Sequence, residues 1–189
     1  MSTLPSRPSR SENKDHLVFR RANSTDVDAI VALVNSAYRG ESSRAGWTTE
    51  ADILGGQRTD AEEISRLVAE DGSAILLCLR GGETIGSVHV ERVDAATAYL
   101  GMLVIRPVLQ GRGLGRCLMD EAERFVRAEW SVRRMQMQVI TLRHELIAYY
   151  GRRGYLPTGE TKPFPATDPR FGLPGVEGLM FEVLEKPLD

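Results

Sequence analysis

Strand-like and helix-like patterns of apolar residues follow one another along the chain. Residues 16–21 predict a first strand, and residues 27–38 then place apolar side chains at helical spacing. Residues 74–79 are continuously apolar, which is typical of a buried strand, and Gly81-Gly82 predicts a tight hairpin to residues 84–93. The first half of the chain is therefore expected to contain at least three strands and one helix.

The second half continues this alternation. Residues 98–105 carry apolar side chains on both alternating faces, which predicts a strand covered on both sides and ended by Pro107. The remaining elements are expected to be a helix opened by residues 110–115, a strand at 135–140, a helix at 144–153 and a last strand at 179–184. This order predicts an α/β or α+β domain built on a central sheet.

Composition limits the class of protein without indicating its chemistry. The chain has 189 residues, 42% hydrophobic and 26% charged, with a net charge of −2, which suits one soluble globular domain. We expect residues 1–15 to form a flexible tail, because they are polar and proline-bearing, and residues 16–189 to form the domain. The near-neutral charge argues against nucleic acid, the lack of a long apolar run argues against a membrane, and the expected location is the cytoplasm.

The cysteines and histidines predict no redox or metal chemistry. Cys78 and Cys117 lie in apolar segments and are expected to be reduced and buried, with Cys117 on the inner face of its helix. His16, His89 and His144 lie far apart and fit no metal-ligand spacing, so no metal is expected.

The most informative segment is a glycine-rich turn between a strand and a helix, Gln110-Gly111-Arg112-Gly113-Leu114-Gly115. The first N–H groups of a helix have no partner within it, and the helix dipole adds partial positive charge, so such a turn suits a pyrophosphate. Arg112 and Arg116 could add charge there. A Rossmann fingerprint would need another glycine in register and a Walker loop a final Lys-Ser or Lys-Thr, while a helix start that binds nothing remains an alternative.

Two motifs that follow one another along the chain resemble those of the Gcn5-related N-acetyltransferases (GNAT). Gln110–Gly115 is similar to the family's coenzyme A motif Q/R-x-x-G-x-G/A, and residues 149–155 are similar to its Y-x-x-x-G-F/Y pattern. The order of elements from residue 18 to about residue 160 also agrees. The resemblance implies a mixed, mostly antiparallel sheet of about six or seven strands with helices on both faces.

The resemblance also implies roles for the matched positions. Acetyl-CoA would be the cosubstrate, and Tyr150 would stabilise its departing thiolate, since its spacing to Gly154 fits better than that of Tyr149. An amide near Leu103 would polarise the thioester carbonyl, where strand 98–105 splays from strand 135–140. The residues implied in cofactor binding are Met102, Leu103, Val104, Gln110, Gly111, Arg112, Gly113, Leu114, Gly115 and Arg116.

The chain departs from the family pattern at two positions. Arg143 stands where many members carry an asparagine, and Tyr99 stands where some carry a glutamate base. Glu91 and His89 alternate onto one face of the preceding strand and are alternative base candidates, although water alone could carry the proton away.

The acceptor is expected to bind between two long loops. Trp47, Phe164 and Phe171 are the candidate contacts, and Glu41, Glu50 and Asp52 could meet a cationic acceptor. The resulting hypothesis is acetyl transfer from acetyl-CoA to a primary amine of a small molecule or peptide, and the apolar last strand could join a homodimer. The alternatives are a non-catalytic module that binds coenzyme A or another phosphate ligand, and a nucleotide-binding domain.

Overall fold

A seven-stranded sheet forms the centre of the molecule. The computed structural model describes residues 16–165 and 173–189. The strands lie in the order β1 (Leu17–Arg21), β3 (Ser73–Arg80), β4 (Glu83–Arg92), β5 (Thr97–Ile105), β6 (Arg134–Ile140), β9 (Met180–Pro187) and β7 (Leu156–Pro163). In the described ranges β5 with β6 is the one parallel pair, so the predicted mixed, mostly antiparallel sheet is confirmed. Two-residue strands β2 (Leu54–Gly55) and β8 (Leu173–Pro174) pair separately.

Helices cover both faces of the sheet, as expected. They are α1 (Val27–Tyr38), α2 (Gly40–Ser43), α3 (Ala61–Ala69), α4 (Leu114–Trp130) and α5 (His144–Gly151). Apolar residues of α1 and α3 pack with Ile75, Leu77, Met102 and Val104 in one core cluster. Residues of α4 and α5 pack with the opposite side of the strands in a second, larger cluster. No helix within the described residues is both long and apolar enough to cross a membrane.

The sheet opens between β5 and β6. In β5 only Thr97–Tyr99 pair with β6, at its residues 134–136, whereas β6 pairs with β9 along its whole length. Beyond Tyr99, β5 contains a bulge, where the register with β4 shifts and Met102 takes a left-handed φ of 44°. A bulge bends its strand and ends regular pairing. The edge of β5 that faces β6 is therefore open from Leu100 onwards.

One prediction about α4 was wrong. Cys78 is buried, but Cys117 is exposed and does not belong to the core. At about 100° per residue, Cys117 lies about 120° around the helix from the midpoint between Leu118 and Ala122, which are both fully buried. Met119, which the sequence pattern omitted, belongs to the buried stripe instead.

Candidate active site

The glycine turn lies at the amino end of α4 and has the geometry of an anion site. Gly111 and Gly113 have φ values of +76° and +80°, a left-handed conformation that other residues rarely adopt. The N–H of Cys117 bonds to the Gly113 carbonyl at 3.1 Å, so the amides that precede Cys117 in the helix have no acceptor within its first turn. Several N–H groups and the positive end of the helix dipole therefore meet at this turn.

Gly115 serves a different purpose from the other glycines of the turn. A Cβ at Gly115 would lie 3.0 Å from the hydroxyl oxygen of Tyr149, whereas one at Gly111 or Gly113 would meet nothing within 4 Å. Gly115 therefore makes room for an aromatic side chain of α5. Gly111 and Gly113 instead allow the left-handed backbone conformation of the turn.

Gln110 fixes the entrance of the turn through its side chain. Its Nε2 donates to the carbonyl of Ile105 at 3.0 Å, and its Oε1 accepts from the N–H of Trp47 at 3.1 Å. Gly46 lies beside this side chain, and an added Cβ there would displace the Gln110 amide from its position. Nothing in the local sequence around Gly46 indicates this contact with residue 110.

Two cavities meet at the opening of the sheet. The first cavity has a volume of about 310 Å³ and extends to Gly111, Gly113 and Gly115 of the turn. The second cavity has a volume of about 460 Å³ and lies against β5, β6 and the segment before residue 166. Both volumes fall in or near the range of small-molecule sites, about 300–1,000 Å³. The residues that line both cavities are Tyr38, Glu50, Leu103, Arg143, Leu146 and Tyr150.

Tyr150 lies at this junction, while Tyr149 lies only in the first cavity. The Tyr150 side chain is buried, and burial raises its pKa well above the ordinary value, so the hydroxyl stays protonated. Within residues 16–165 and 173–189 no hydrogen bond to this hydroxyl is formed. The Tyr38 hydroxyl, in contrast, donates to the Leu103 carbonyl at 3.3 Å. Tyr150 can therefore donate its hydrogen bond to a ligand.

Tyr149 is held by neighbouring side chains instead. Its ring lies 5.3 Å from that of Trp47, and the Arg153 guanidinium lies 3.4 Å above it. Burial raises the pKa of Tyr149 as well, against the opposing effect of Arg153. Trp47, predicted as an acceptor contact, thus lies in the first cavity with Tyr149 and does not line the second.

A buried ion-pair cluster joins three segments between the cavities. Glu50 Oε2 accepts from Arg39 at 2.5 Å, and Glu50 Oε1 accepts from Arg143 at 2.8 Å. Arg143 also donates to Thr48. Arg143 and Glu50 are 93 residues apart in sequence. Arg143, which was not expected to have this role, therefore anchors the loop at residues 48–50 to the start of α5.

The two base candidates on β4 lie away from both cavities. His89 is buried, and its Nε2 lies 3.0 Å from Ser73 Oγ. Burial, together with the positive charges of Arg66 and Arg58, lowers the pKa of His89 to about 4, so the imidazole is neutral at pH 7. Glu91 is exposed at the far end of the strand. Tyr99 does line the second cavity, but burial raises its pKa, so it is protonated.

The remaining predicted contacts are divided between the cavities. Leu103 lines both, Val104 only the first and Met102 only the second. Arg112 and Arg116 are exposed and line neither, whereas Arg152 and Arg153, which the sequence analysis missed, line the first.

The aromatic candidates of the last loop are only partly described. Phe164, which the sequence predicts as an acceptor contact, is buried and lines the second cavity. Phe171 lies outside the described residues. Leu114 is buried in the core, so it takes part in the turn only through its backbone.

A sheet opened between two parallel strands, beside a glycine-rich helix start, is the architecture of the acetyltransferase class. A model of the acetyltransferase (GNAT) family matches residues 28–155, more than half of the chain. The chain therefore belongs to this family, and the resemblance based on the two motifs is confirmed. A comparison with curated proteins gave no match.

Solved structures of the family share the fold. The Salmonella typhimurium protein yncA, solved with acetyl-CoA, is 19% identical, with a TM-score of 0.66 over 92% of this chain and 94% of that one. A ribosomal-protein-alanine N-acetyltransferase from Brucella melitensis is also 19% identical, with a TM-score of 0.66 over 90% and 99%. A GNAT acetyltransferase from Streptococcus pneumoniae is 19% identical, with a TM-score of 0.64 over 92% and 100%. At sequence identities of 19%, the similarity to these structures shows a shared fold.

Proposed function

We propose that this protein transfers the acetyl group of acetyl-CoA to a primary amine of a small molecule or peptide. The observation that carries the proposal is the meeting of two cavities at Tyr150 and Leu103. A transferase needs two compartments that join at the reacting atoms, and here one compartment ends at an anion-binding helix start.

The residues of the first cavity fit the cosubstrate. The amides of the turn from Gly111 to Gly115 would hold the pyrophosphate, since the two left-handed glycines bring them together and open space lies beside both of these glycines. The open edge of β5 would pair with the pantetheine arm as an added strand would. Acetyl-CoA supplies a thioester whose acetyl group passes to the amine nitrogen. An acceptor that enters as the ammonium ion first loses one proton, and the products are then the acetylated amine, the free thiol and that proton.

Tyr150 is assigned the role of hydrogen-bond donor to the sulfur. Full proton transfer from a tyrosine to a thiolate is uphill by about 2 kcal/mol at ordinary pKa values. Burial raises the pKa of Tyr150 and makes transfer less favourable still. A hydrogen bond to developing negative charge contributes about 1.5–3 kcal/mol without proton transfer. The amine proton is assigned to solvent, because Glu50, the one carboxylate among the described residues that lines both cavities, already binds two arginines.

A non-catalytic module that binds coenzyme A is the alternative. Such a module would use the first cavity and the glycine turn but would need neither the Tyr150 hydroxyl nor a second cavity. The presence of both favours the transferase.

The test is release of free thiol from acetyl-CoA against a panel of amines and peptides, with Tyr150→Phe beside the wild type. We expect Tyr150→Phe to lower kcat by roughly 10- to 100-fold, the equivalent of one hydrogen bond to a charged group, while acetyl-CoA binds as before. Tyr149→Phe is the matched control, because it removes the neighbouring hydroxyl from the first cavity alone, and its kcat should stay close to that of the wild type.

Each other outcome has a defined meaning. Turnover that is unchanged in Tyr150→Phe would show that the assigned role is wrong. Acetyl-CoA binding without turnover of any amine would favour the non-catalytic module. Failure of acetyl-CoA to bind, measured by calorimetry, would overturn the interpretation of the glycine turn.

A further inference from the structure

The described residues that line the second cavity carry an excess of positive charge. Four cationic side chains line it, Arg39, Arg58, Arg143 and Lys162, against one carboxylate, Glu50. Among the described residues this is an excess of three positive charges. A cleft lined by one sign of charge concentrates ligands of the opposite sign. The cavity therefore disfavours a polycationic acceptor and favours an amine that also bears an anionic group.

The acidic residues expected to meet a cationic acceptor are already bound to arginines. Glu50 bonds to Arg39 and Arg143. Asp52 pairs with Arg44 at 2.7 Å, and the exposed Glu41 also lies 3.4 Å from Arg44, outside both cavities. The expectation of a cationic acceptor therefore loses its structural basis.

Arg58 is the cationic residue best placed to bind the anionic group. Its backbone N–H bonds to Asn35 Oδ1 at 2.7 Å, and the same amide side chain also bonds to both backbone groups of Thr59. These bonds fix the loop to α1. The Arg58 guanidinium lies 5.6 Å from the centre of the Tyr38 ring, and Tyr38 in turn bonds to Leu103 where the cavities meet. The backbone of Arg58 is thus fixed beside the cavity, and its planar guanidinium has the geometry to bind a carboxylate with two hydrogen bonds.

The second cavity also has apolar lining residues. Phe164 and Phe181 lie with ring centres 5.3 Å apart, and Met137 and Ile140 line the same cavity. Apolar and cationic side chains within one cavity of about 460 Å³ suit a small amphiphilic molecule.

We propose that the acceptor is a free amino acid with an apolar side chain. Its carboxylate would bind Arg58, its side chain would contact Phe164 and Phe181, and its amine would face the junction at Leu103 and Tyr150. The inference rests on the proposed transferase function and specifies its substrate class.

The test compares amino acids with their amides in the thiol-release assay, using the full chain and saturating acetyl-CoA. The probes are L-phenylalanine, L-methionine and L-leucine, the amide of each, phenethylamine and spermidine. We expect at least one acid to exceed its own amide by roughly 10- to 100-fold in kcat/KM, the equivalent of one charge-assisted hydrogen bond. The amide has the lower amine pKa and offers more neutral nucleophile, so this preference would run against intrinsic reactivity.

The variant Arg58→Gln tests whether Arg58 binds the carboxylate. It should raise KM for the acid and bring the acid-to-amide ratio close to one, while KM for acetyl-CoA and turnover of the amide stay near wild-type values. Arg66→Gln is the matched control, because Arg66 is exposed, pairs with Glu70 and lines neither cavity. Thermal unfolding of both variants would show whether either change affects folding.

The outcomes separate this inference from the proposed function. Turnover of amides, phenethylamine or spermidine in preference to the acids would overturn the amino-acid assignment alone. An acid-to-amide ratio unchanged in Arg58→Gln would overturn the role of Arg58. No turnover of any probe or of the wider panel of amines would count against the transferase and this inference together.

Discussion

Replacement of Glu50 by glutamine tests whether one buried carboxylate holds the wall between the two cavities. The side chains of Arg39, Glu50 and Arg143 are only 5%, 10% and 10% exposed. Glutamine keeps the shape of the side chain but removes its charge, which leaves the buried Arg143 guanidinium without the carboxylate that it binds. Breaking a buried pair from one side costs about 3–5 kcal/mol, because the remaining charge is desolvated and uncompensated.

The matched control lies two residues away. Asp52→Asn breaks a pair with Arg44 whose side chains are 67% and 43% exposed, and exposed pairs contribute only about 0.2–1 kcal/mol. For a domain of this size, about 3–5 kcal/mol corresponds to a decrease of roughly 6–20 °C in Tm. Urea and thermal unfolding of both variants measure the difference. If Glu50→Gln lowers the free energy of unfolding by as little as Asp52→Asn does, burial does not make this ion-pair cluster important for stability.

Two further predictions concern a glycine and a histidine. Gly113→Ala and Gly82→Ala both place a side chain at a left-handed φ, +80° and +85°, and each should cost about 1–2 kcal/mol in urea unfolding. Only Gly113→Ala should weaken acetyl-CoA binding by calorimetry, and equal affinity in both variants would contradict the assignment of the turn. Burial, with Arg66 and Arg58, lowers the pKa of His89 to about 4 from its ordinary 6.5, so the unfolded chain binds more protons between these values. The free energy of unfolding should therefore fall by up to about 3 kcal/mol as pH decreases through this window. In His89→Gln this part of the pH dependence should be absent. If the free energy of unfolding of His89→Gln depends on pH as it does in the wild type, His89 is not the source of the effect.

The order of elements and the glycine turn were predictable because both depend on local sequence. Periodicity identifies strands and helices from neighbouring residues, and a left-handed glycine before a helix start is a local backbone requirement. The same reasoning failed for Cys117, since an apolar neighbourhood in sequence does not determine on which side of a helix a residue lies.

The base candidates show where alternation along a strand stops being informative. Alternation correctly groups His89 with Glu91 on one face of β4, but it does not say whether that face meets a cavity. The position of β4 in the sheet decides this, and it keeps both residues out of the cavities.

The sequence by itself determined the family, the fold class and the position of the glycine turn. Only the tertiary structure decided which side chains meet at the opening between β5 and β6. Arg143 and Glu50 lie 93 residues apart, and Gln110 bonds to a residue 63 positions before it. Such contacts depend on the order of strands and the direction of each side chain. The positive charge of the second cavity likewise arises from residues of separate segments, because folding alone brings Arg58, Arg143 and Lys162 around one space.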